Sequence, residues 1–308
     1  MAKILVLGAT GFVGRHLVFR LKNHHEHQVS YLVRPTSKID KPELCSGLTK
    51  KVRRLFTGDI TDLNSLIKAA KNQDIIINLT TPTTQRDDIN QSVIVEGTKN
   101  LIKVAKKNKI KKLIILSSAA GYRKTLDSYG KAKKQADKFL LKSKLNVIIL
   151  KPTMIYGHGG YLFEKIKSAV TKIPFVVFMV GDGRYKIQPI FVEDMADAIV
   201  HSIEKPIKGV KIFDLGGPYP IECREFFKKI LQAIHKRKIF IPIPVWLIIP
   251  VVKLINIFFK NVAWNKDTIK RMVEEIKLDV NKSKKELSLE LTDYSEALRM
   301  LFSENKNR

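Results

Sequence analysis

Hydrophobic positions along the first half of the chain switch regularly between two periods. Ile4 to Leu7 is a short continuous apolar run, the pattern of a strand buried on both faces. A glycine-rich turn, GATGFVG, follows at once, and then RHLVFRL, in which Leu17, Val18 and Leu21 recur at helical spacing. The alternation continues with strands over 29–33 (VSYLV), 74–79 (DIIINL), 113–116 (LIIL) and 147–150 (VIIL), and a further strand ahead of Gly58. Helices are predicted over 62–70, 93–105 and 129–141. Strands alternating with helices of this length predict an α/β fold with a parallel sheet covered on both sides.

Beyond Lys151 the regularity weakens. Gly157, Gly159, Gly160, Pro174, Gly181 and Gly183 mark loops, and IFDLGG (212–217) supplies one more strand. The chain therefore divides, as an expectation, into a nucleotide-binding domain over 1–155 and a smaller mixed α/β substrate-side subdomain over 156–308, interleaved with the last strands of the sheet. Asp194, after an apolar pair, is expected to order a helix start.

The stretch IFIPIPVWLIIPVVKLINIFF (239–259) is about long enough to cross a bilayer, but Pro242, Pro244 and Pro250 interrupt it and Lys253 lies within it. From Val245 a helix is expected whose polar stripe is only Lys253, Asn256 and Lys260. Its wide apolar face has to be covered by the core, by a second copy in a homodimer, or by peripheral membrane contact through 239–260. Trp246 and Trp264 read as core or interface anchors.

Charge narrows the partners. The 308 residues carry 56 Lys+Arg against 29 Asp+Glu, a formal charge of +27. Such a chain repels itself unless something anionic is near: a nucleotide, a phosphorylated substrate or acidic lipid. The lysines are dispersed, and no zinc-finger spacing, RNP motif or Arg-rich tail supports nucleic-acid readout. Two cysteines, Cys45 and Cys223, suggest neither a disulfide framework nor a metal site. His24, His25 and His27 read as a surface turn. The N-terminal apolar run lacks a small-residue cleavage site, so a cytoplasmic location, with or without membrane contact, is expected.

The turn carries the first chemistry. Gly8, Gly11 and Gly14 stand at three-residue intervals between strand and helix. The first permits the tight turn, the second lets a pyrophosphate approach, and the third lets helix and strand pack closely. Gly8, Thr10, Gly11, Phe12, Val13 and Gly14 are thus candidate cofactor-binding residues, with the helix N-terminus facing phosphate. About twenty residues on, where an acidic side chain would hold a ribose 2′-OH, VSYLV ends in Arg34. NADP(H) is favoured, with NAD(H) left open.

Together with GDITD (58–62), NLT (78–80), Ser117-Ser118, Tyr129-x3-Lys133, KPTMIYG (151–157), GDG (181–183) and QPIFVEDMA (188–196), this pattern resembles the extended and atypical branches of the short-chain dehydrogenase/reductase superfamily. The resemblance implies a Rossmann-type doubly wound parallel sheet with a smaller C-terminal substrate-binding subdomain, whose helix resembles DVNKSKKEL (279–287). It implies that Asp59, with Ile60 beside it, contacts adenine, that Leu79 and Thr80 line the cofactor, that Lys133 holds the nicotinamide ribose, and that Pro152 and Thr153 lie near the nicotinamide face. Catalysis would fall to Tyr129 as acid/base, with Lys133 assisting and Ser118, or its rival Ser117, holding the substrate oxygen. A tyrosine whose unperturbed pKa is near ~10 needs such a positive charge nearby. Two departures stand out: only ten residues separate Ser118 from Tyr129, and Lys151 replaces the more usual arginine.

The function implied is that of an NAD(P)-dependent oxidoreductase or epimerase/dehydratase, acting on a phosphorylated small molecule or nucleotide sugar. GDGRYKIQPIFVEDMA also resembles the accessory 39-kDa-type subunit of respiratory complex I, which implies a non-catalytic NADPH-binding scaffold or redox sensor. An NmrA-like regulator shares the glycine turn but not the tyrosine-lysine pair.

Overall fold

The strands come from short apolar runs at the centre of the main sheet and from mixed or two-residue stretches elsewhere. In the computed structural model, which describes residues 1–23, 26–36, 52–82, 86–247 and 273–303, they are β1 (Lys3–Leu7), β2 (Gln28–Val33), β3 (Val52–Thr57), β4 (Ile75–Asn78), β5 (Lys112–Leu116), β6 (Val147–Pro152), β7 (Ile155–Tyr156), β8 (Val176–Val180), β9 (Lys186–Ile187), β10 (Ile190–Phe191), β11 (Val210–Leu215), β12 (Ile221–Glu222) and β13 (Ile239–Ile243). The helices are α1 (Phe12–Asn23), α2 (Leu63–Ala70), α3 (Asp87–Asn90), α4 (Gly97–Lys107), α5 (Ser128–Leu141), α6 (Tyr161–Lys172), α7 (Val192–Glu204), α8 (Cys223–Ala233), α9 (Asn281–Leu287) and α10 (Tyr294–Ser303).

Seven strands form one parallel sheet in the order β11-β6-β5-β4-β1-β2-β3. Alternate residues of each strand serve opposite sides. Ile4 and Val6 pack with Leu17, Leu21, Met195 and Ile199 under α1 and α7. Leu5 and Leu7 pack with Leu66, Leu101, Val104 and Leu140 under α2, α4 and α5. This is the Rossmann-like doubly wound sheet. Its winding reverses between β1 and β4, and the crevice beyond the C-terminal ends of those two strands is where such sheets bind ligands.

A third apolar cluster, built on Tyr156, Phe163, Phe191, Phe226 and Tyr294, joins α6, α8 and α10. Residues 156–308 also return to the main sheet, since β11 pairs with β6 and α7 covers its face. Helix starts differ from the periodic reading in one place. The helix expected from residue 93 begins at Asp87 and passes through a π-helical stretch, Gln91–Glu96, before α4. Asn90 is buried and its amide donates to Ser128 Oγ (2.9 Å), which anchors the extra turn to α5.

The apolar tail opens as a strand: Ile239–Ile243 pairs in parallel with β8, and helical backbone begins at Val245 as expected. The rest of that expected helix, Trp264, Cys45, His24 and His25 lie outside the described residues. Among those described, no helix is long and apolar enough to cross a membrane.

Candidate active site

The glycine turn forms because β1 ends where a left-handed residue is needed. Gly8 has φ +82°, and a Cβ there would stand 2.9 Å from the Leu79 carbonyl carbon. Gly11 N–H donates to Gly8 O (3.0 Å), and α1 starts at the next residue. A Cβ on Gly14 would lie 2.1 Å from Gly8 O, so helix and strand approach only through glycine. The turn residues Gly8, Thr10 and Gly11, just ahead of the start of α1, face the crevice, a site suited to anions.

That crevice is a cleft of about 380 Å³. Of the expected cofactor residues, Gly8, Thr10, Gly11, Arg34, Asp59, Ile60, Leu79 and Thr80 line it, joined by Thr81, Pro82, Ile89 and Val93. Arg34 is exposed at the end of β2. Asp59 Oδ1 accepts from Thr61 N (2.9 Å) and Oγ1 (2.8 Å), and Asn78 Oδ1 accepts from Thr80 N (3.1 Å) and Oγ1 (2.6 Å), so short-range hydrogen bonds set both loops. Phe12, Val13, Gly14, Lys133, Pro152 and Thr153 do not line this cleft. Phe12 stacks edge-on against His16 (5.7 Å between centroids), Val13 is in the core, and Pro152 is buried at the end of β6. The hydroxyl of Thr153 donates to the Gln188 carbonyl.

Asp127 caps α5 by accepting from Gly130 N (2.8 Å), which starts the helix at Ser128 and places Tyr129 and Lys133 one turn apart on one face. The two meet: Lys133 Nζ lies 5.6 Å from the centre of the Tyr129 ring. Lys133 is buried and donates to Leu116 O (2.9 Å) and to Thr81 Oγ1 (3.3 Å), at the wall of the cleft. Burial pushes its pKa down to about 8, with the Asp137 carboxylate opposing.

Asp137, one turn further along α5, ties that helix to the ends of β5 and β6. It accepts from Ser117 Oγ (2.7 Å) and pairs with Lys151 Nζ (2.9 Å). Burial alone would lower the Lys151 pKa, but Asp137 and the Tyr122 hydroxyl reverse this and hold it raised. Ser117 is therefore enclosed and committed to Asp137, whereas Ser118 is half-buried and, among the described residues, its Oγ accepts only a backbone N–H, from Ala120 (3.1 Å). Sequence reasoning missed Thr81, Ile89, Val93 and Asp137. The i+4 spacing of Asp137 from Lys133 was the available signal for one of them.

Asp194 departs from expectation. Phe191 precedes α7 with no side-chain cap, and Asp194 instead reaches the C-terminal segment, accepting from Thr292 N (3.0 Å) and Oγ1 (2.6 Å). Burial raises its pKa to about 6, with the Thr292 hydrogen bonds opposing. Beside it, His16 and Arg20 of α1 pair with Glu193 and Asp197 of α7.

The NAD dependent epimerase/dehydratase family model matches residues 4–216. The chain belongs to this family. It is similar to the UDP-glucose 4-epimerase of Vibrio cholerae, with 25% identity in an alignment that covers 92% of this chain and 89% of that protein. It is also similar to NADH dehydrogenase [ubiquinone] 1 alpha subcomplex subunit 9 of Dictyostelium discoideum, with 25% identity over 234 residues, 74% of this chain and 63% of that protein. The UDP-glucose 4-epimerase of Thermotoga maritima, solved with UDP-glucose, shares the fold at a TM-score of 0.76 and 18% identity, covering 99% of each chain. The dTDP-glucose 4,6-dehydratase of Bacillus anthracis, solved with NAD, does so at 0.77 and 19%, covering 100% of this chain and 97% of that one.

For an epimerase/dehydratase-family cofactor, the residues present fit. The glycine turn leaves a cradle that a Cβ at Gly8 or Gly14 would destroy, and an arginine stands at the rim. No group of metal-ligating side chains occurs among the described residues.

Proposed function

We propose that this protein is an NADP(H)-dependent oxidoreductase or epimerase/dehydratase working at a hydroxyl or carbonyl carbon of a phosphorylated small molecule or nucleotide sugar. Residues 1–155 hold the cofactor and 156–308 form the substrate side. The observation that carries the reading is the meeting of Tyr129 and Lys133, whose ammonium donates to Thr81 in the lining of the cleft. The bound dinucleotide supplies the hydride exchange. Gly8, Thr10, Gly11, Asp59, Leu79 and Thr80 would hold it, and Arg34 would pair with a 2′-phosphate.

The protein's own part is proton transfer and charge. Tyr129 Oη passes the proton of the reacting hydroxyl, and Lys133 Nζ favours the phenolate by its charge. Ser118 Oγ, with its own O–H still available, steadies the substrate oxygen. Asp137 keeps Lys151 and Ser117 in place, and its charge opposes loss of the Lys133 proton.

The test compares the ultraviolet tyrosinate titration of wild type and Tyr129→Phe, each with NADP⁺ bound. One tyrosine titrating well below ~10 in wild type and missing in the variant is the expected result. Curves that differ only near ~10 while NADP⁺ still binds would refute acid/base work by Tyr129. They would leave a nucleotide-holding scaffold, the second reading, which the similarity to NADH dehydrogenase subunit 9 over 74% of the chain favours.

A further inference from the structure

The parallel ribbon of β8 and β13 has two apolar faces and, among the described residues, a protein cover on one. Val177 and Phe240 turn inward, onto the cluster of Tyr156, Phe226 and Ile230. On the other face Val176, Phe178 and Val180 stand in register with Ile239, Ile241 and Ile243. Phe178 is 51% exposed and Ile239 71%, although parallel strands are ordinarily buried on both sides. Two aromatic residues bracket the ribbon in sequence: Phe175, 80% exposed, precedes β8, and Trp246, 70% exposed, follows β13. Single exposed apolar residues mean little, but a contiguous set marks an interaction surface.

The ribbon's entrance is cationic. Lys172 closes α6, and Lys236 and Arg237 lead into β13; all three are exposed and form no ion pair among the described residues. Lys236 Nζ reaches Thr171 O (3.5 Å), so the two stretches lie together. Lys238, by contrast, turns inward to the carbonyls of Val170 and Ile173. No Asp or Glu occurs in residues 165–181 or 226–247.

We propose that this face docks on an anionic lipid surface. Phe175, Phe178, Ile241 and Trp246 enter the boundary between headgroups and acyl chains, and Lys172, Lys236 and Arg237 contact headgroup phosphates. A second copy fits less well, because a two-fold contact would set the same uncompensated cations against each other.

The experiment uses the full chain carrying Trp264→Phe, which leaves Trp246 as the sole tryptophan. Co-sedimentation and Trp246 emission are followed with vesicles of phosphatidylcholine alone and of phosphatidylcholine mixed with phosphatidylglycerol. Binding to the anionic vesicles with a blue shift is expected, weakened by salt. Lys172→Glu with Lys236→Glu and Arg237→Glu should weaken it on the order of tenfold or more. Phe178→Ser with Ile241→Ser should abolish it while melting temperature and NADP⁺ affinity stay unchanged. Absence of binding to the anionic vesicles, or binding that neither variant alters, overturns the proposal. So does a dimer by light scattering that Phe178→Ser with Ile241→Ser converts to monomer, which would assign the face to a second copy.

Discussion

Lys133 is an ammonium enclosed by protein, and its free energy depends on pH in a definite direction. Burial pushes its pKa down to about 8, while the unfolded chain keeps the proton to near ~10.4. Between these values the unfolded state binds more protons, so stability rises with pH. The unfolding free energy of wild type should therefore gain on that of Lys133→Met from about pH 8 to ~10.4, by roughly 3 kcal/mol at most. Urea melts at a series of pH values measure it, and a flat difference would put the amine in water. Arg34 offers a second test. If its guanidinium pairs with a 2′-phosphate, Arg34→Ser weakens NADP⁺ about tenfold or more relative to NAD⁺ in titration calorimetry, and an unchanged ratio removes it as the discriminator. Tyr129 and Lys133 were legible in sequence because a helix brings i and i+4 together. The contacts of Thr81 with Lys133 and of Ser117 with Asp137 were not, since they cross from one element to another.

At the scale of elements, the strand-turn-helix unit at the N-terminus rests on backbone approach. Gly14→Ala would drive a Cβ to 2.1 Å from Gly8 O, an atom fixed by the turn. We expect a loss of about 1–3 kcal/mol or more, read as a lowered melting temperature, together with weaker dinucleotide binding. Gly121→Ala is the control, because the nearest atom to its Cβ is 3.5 Å away and the change should be tolerated. Equal effects at the two sites would contradict the close-approach account. The central strands β1, β4, β5 and β6 were legible from uninterrupted apolar runs, as expected where both faces are covered, whereas β3 and β11 carry charged residues and leave no such run. The start of the helix before α4 was not legible. Asn90 and the π-helical turn are held by a side-chain contact with α5 and by Thr98 Oγ1 donating back to Ile94 O (2.6 Å), neither of which leaves a periodic trace.

Across the whole molecule, the C-terminal segment is tied to the sheet domain by Asp194 and Thr292 and by the aromatic cluster around Tyr294. Burial raises the Asp194 pKa to about 6, above the ~3.9 of an unfolded aspartate. The folded state then holds the extra proton between these values, so this contribution is present below ~3.9 and is lost as pH rises through about 6. The stability of wild type relative to Asp194→Asn should accordingly fall across that window in thermal melts. A rise would mean that the Thr292 hydrogen bonds outweigh burial.

By itself the sequence determined the α/β class, the alternation that builds the sheet, the glycine turn, and the helix that carries Tyr129 and Lys133. Each of these is local, set by apolar period, by glycine's freedom at positive φ or by spacing within a single turn. Only the tertiary structure decided that Ser117 is spent on Asp137 while Ser118 is not. Tertiary contacts also made Asp194 a tether for residue 292 in place of a helix cap, and turned Ile239–Ile243 into a strand beside β8 that exposes Ile239 and Ile241. Those outcomes depend on which distant segments meet, and burial and charge act there between residues that no sequence period relates.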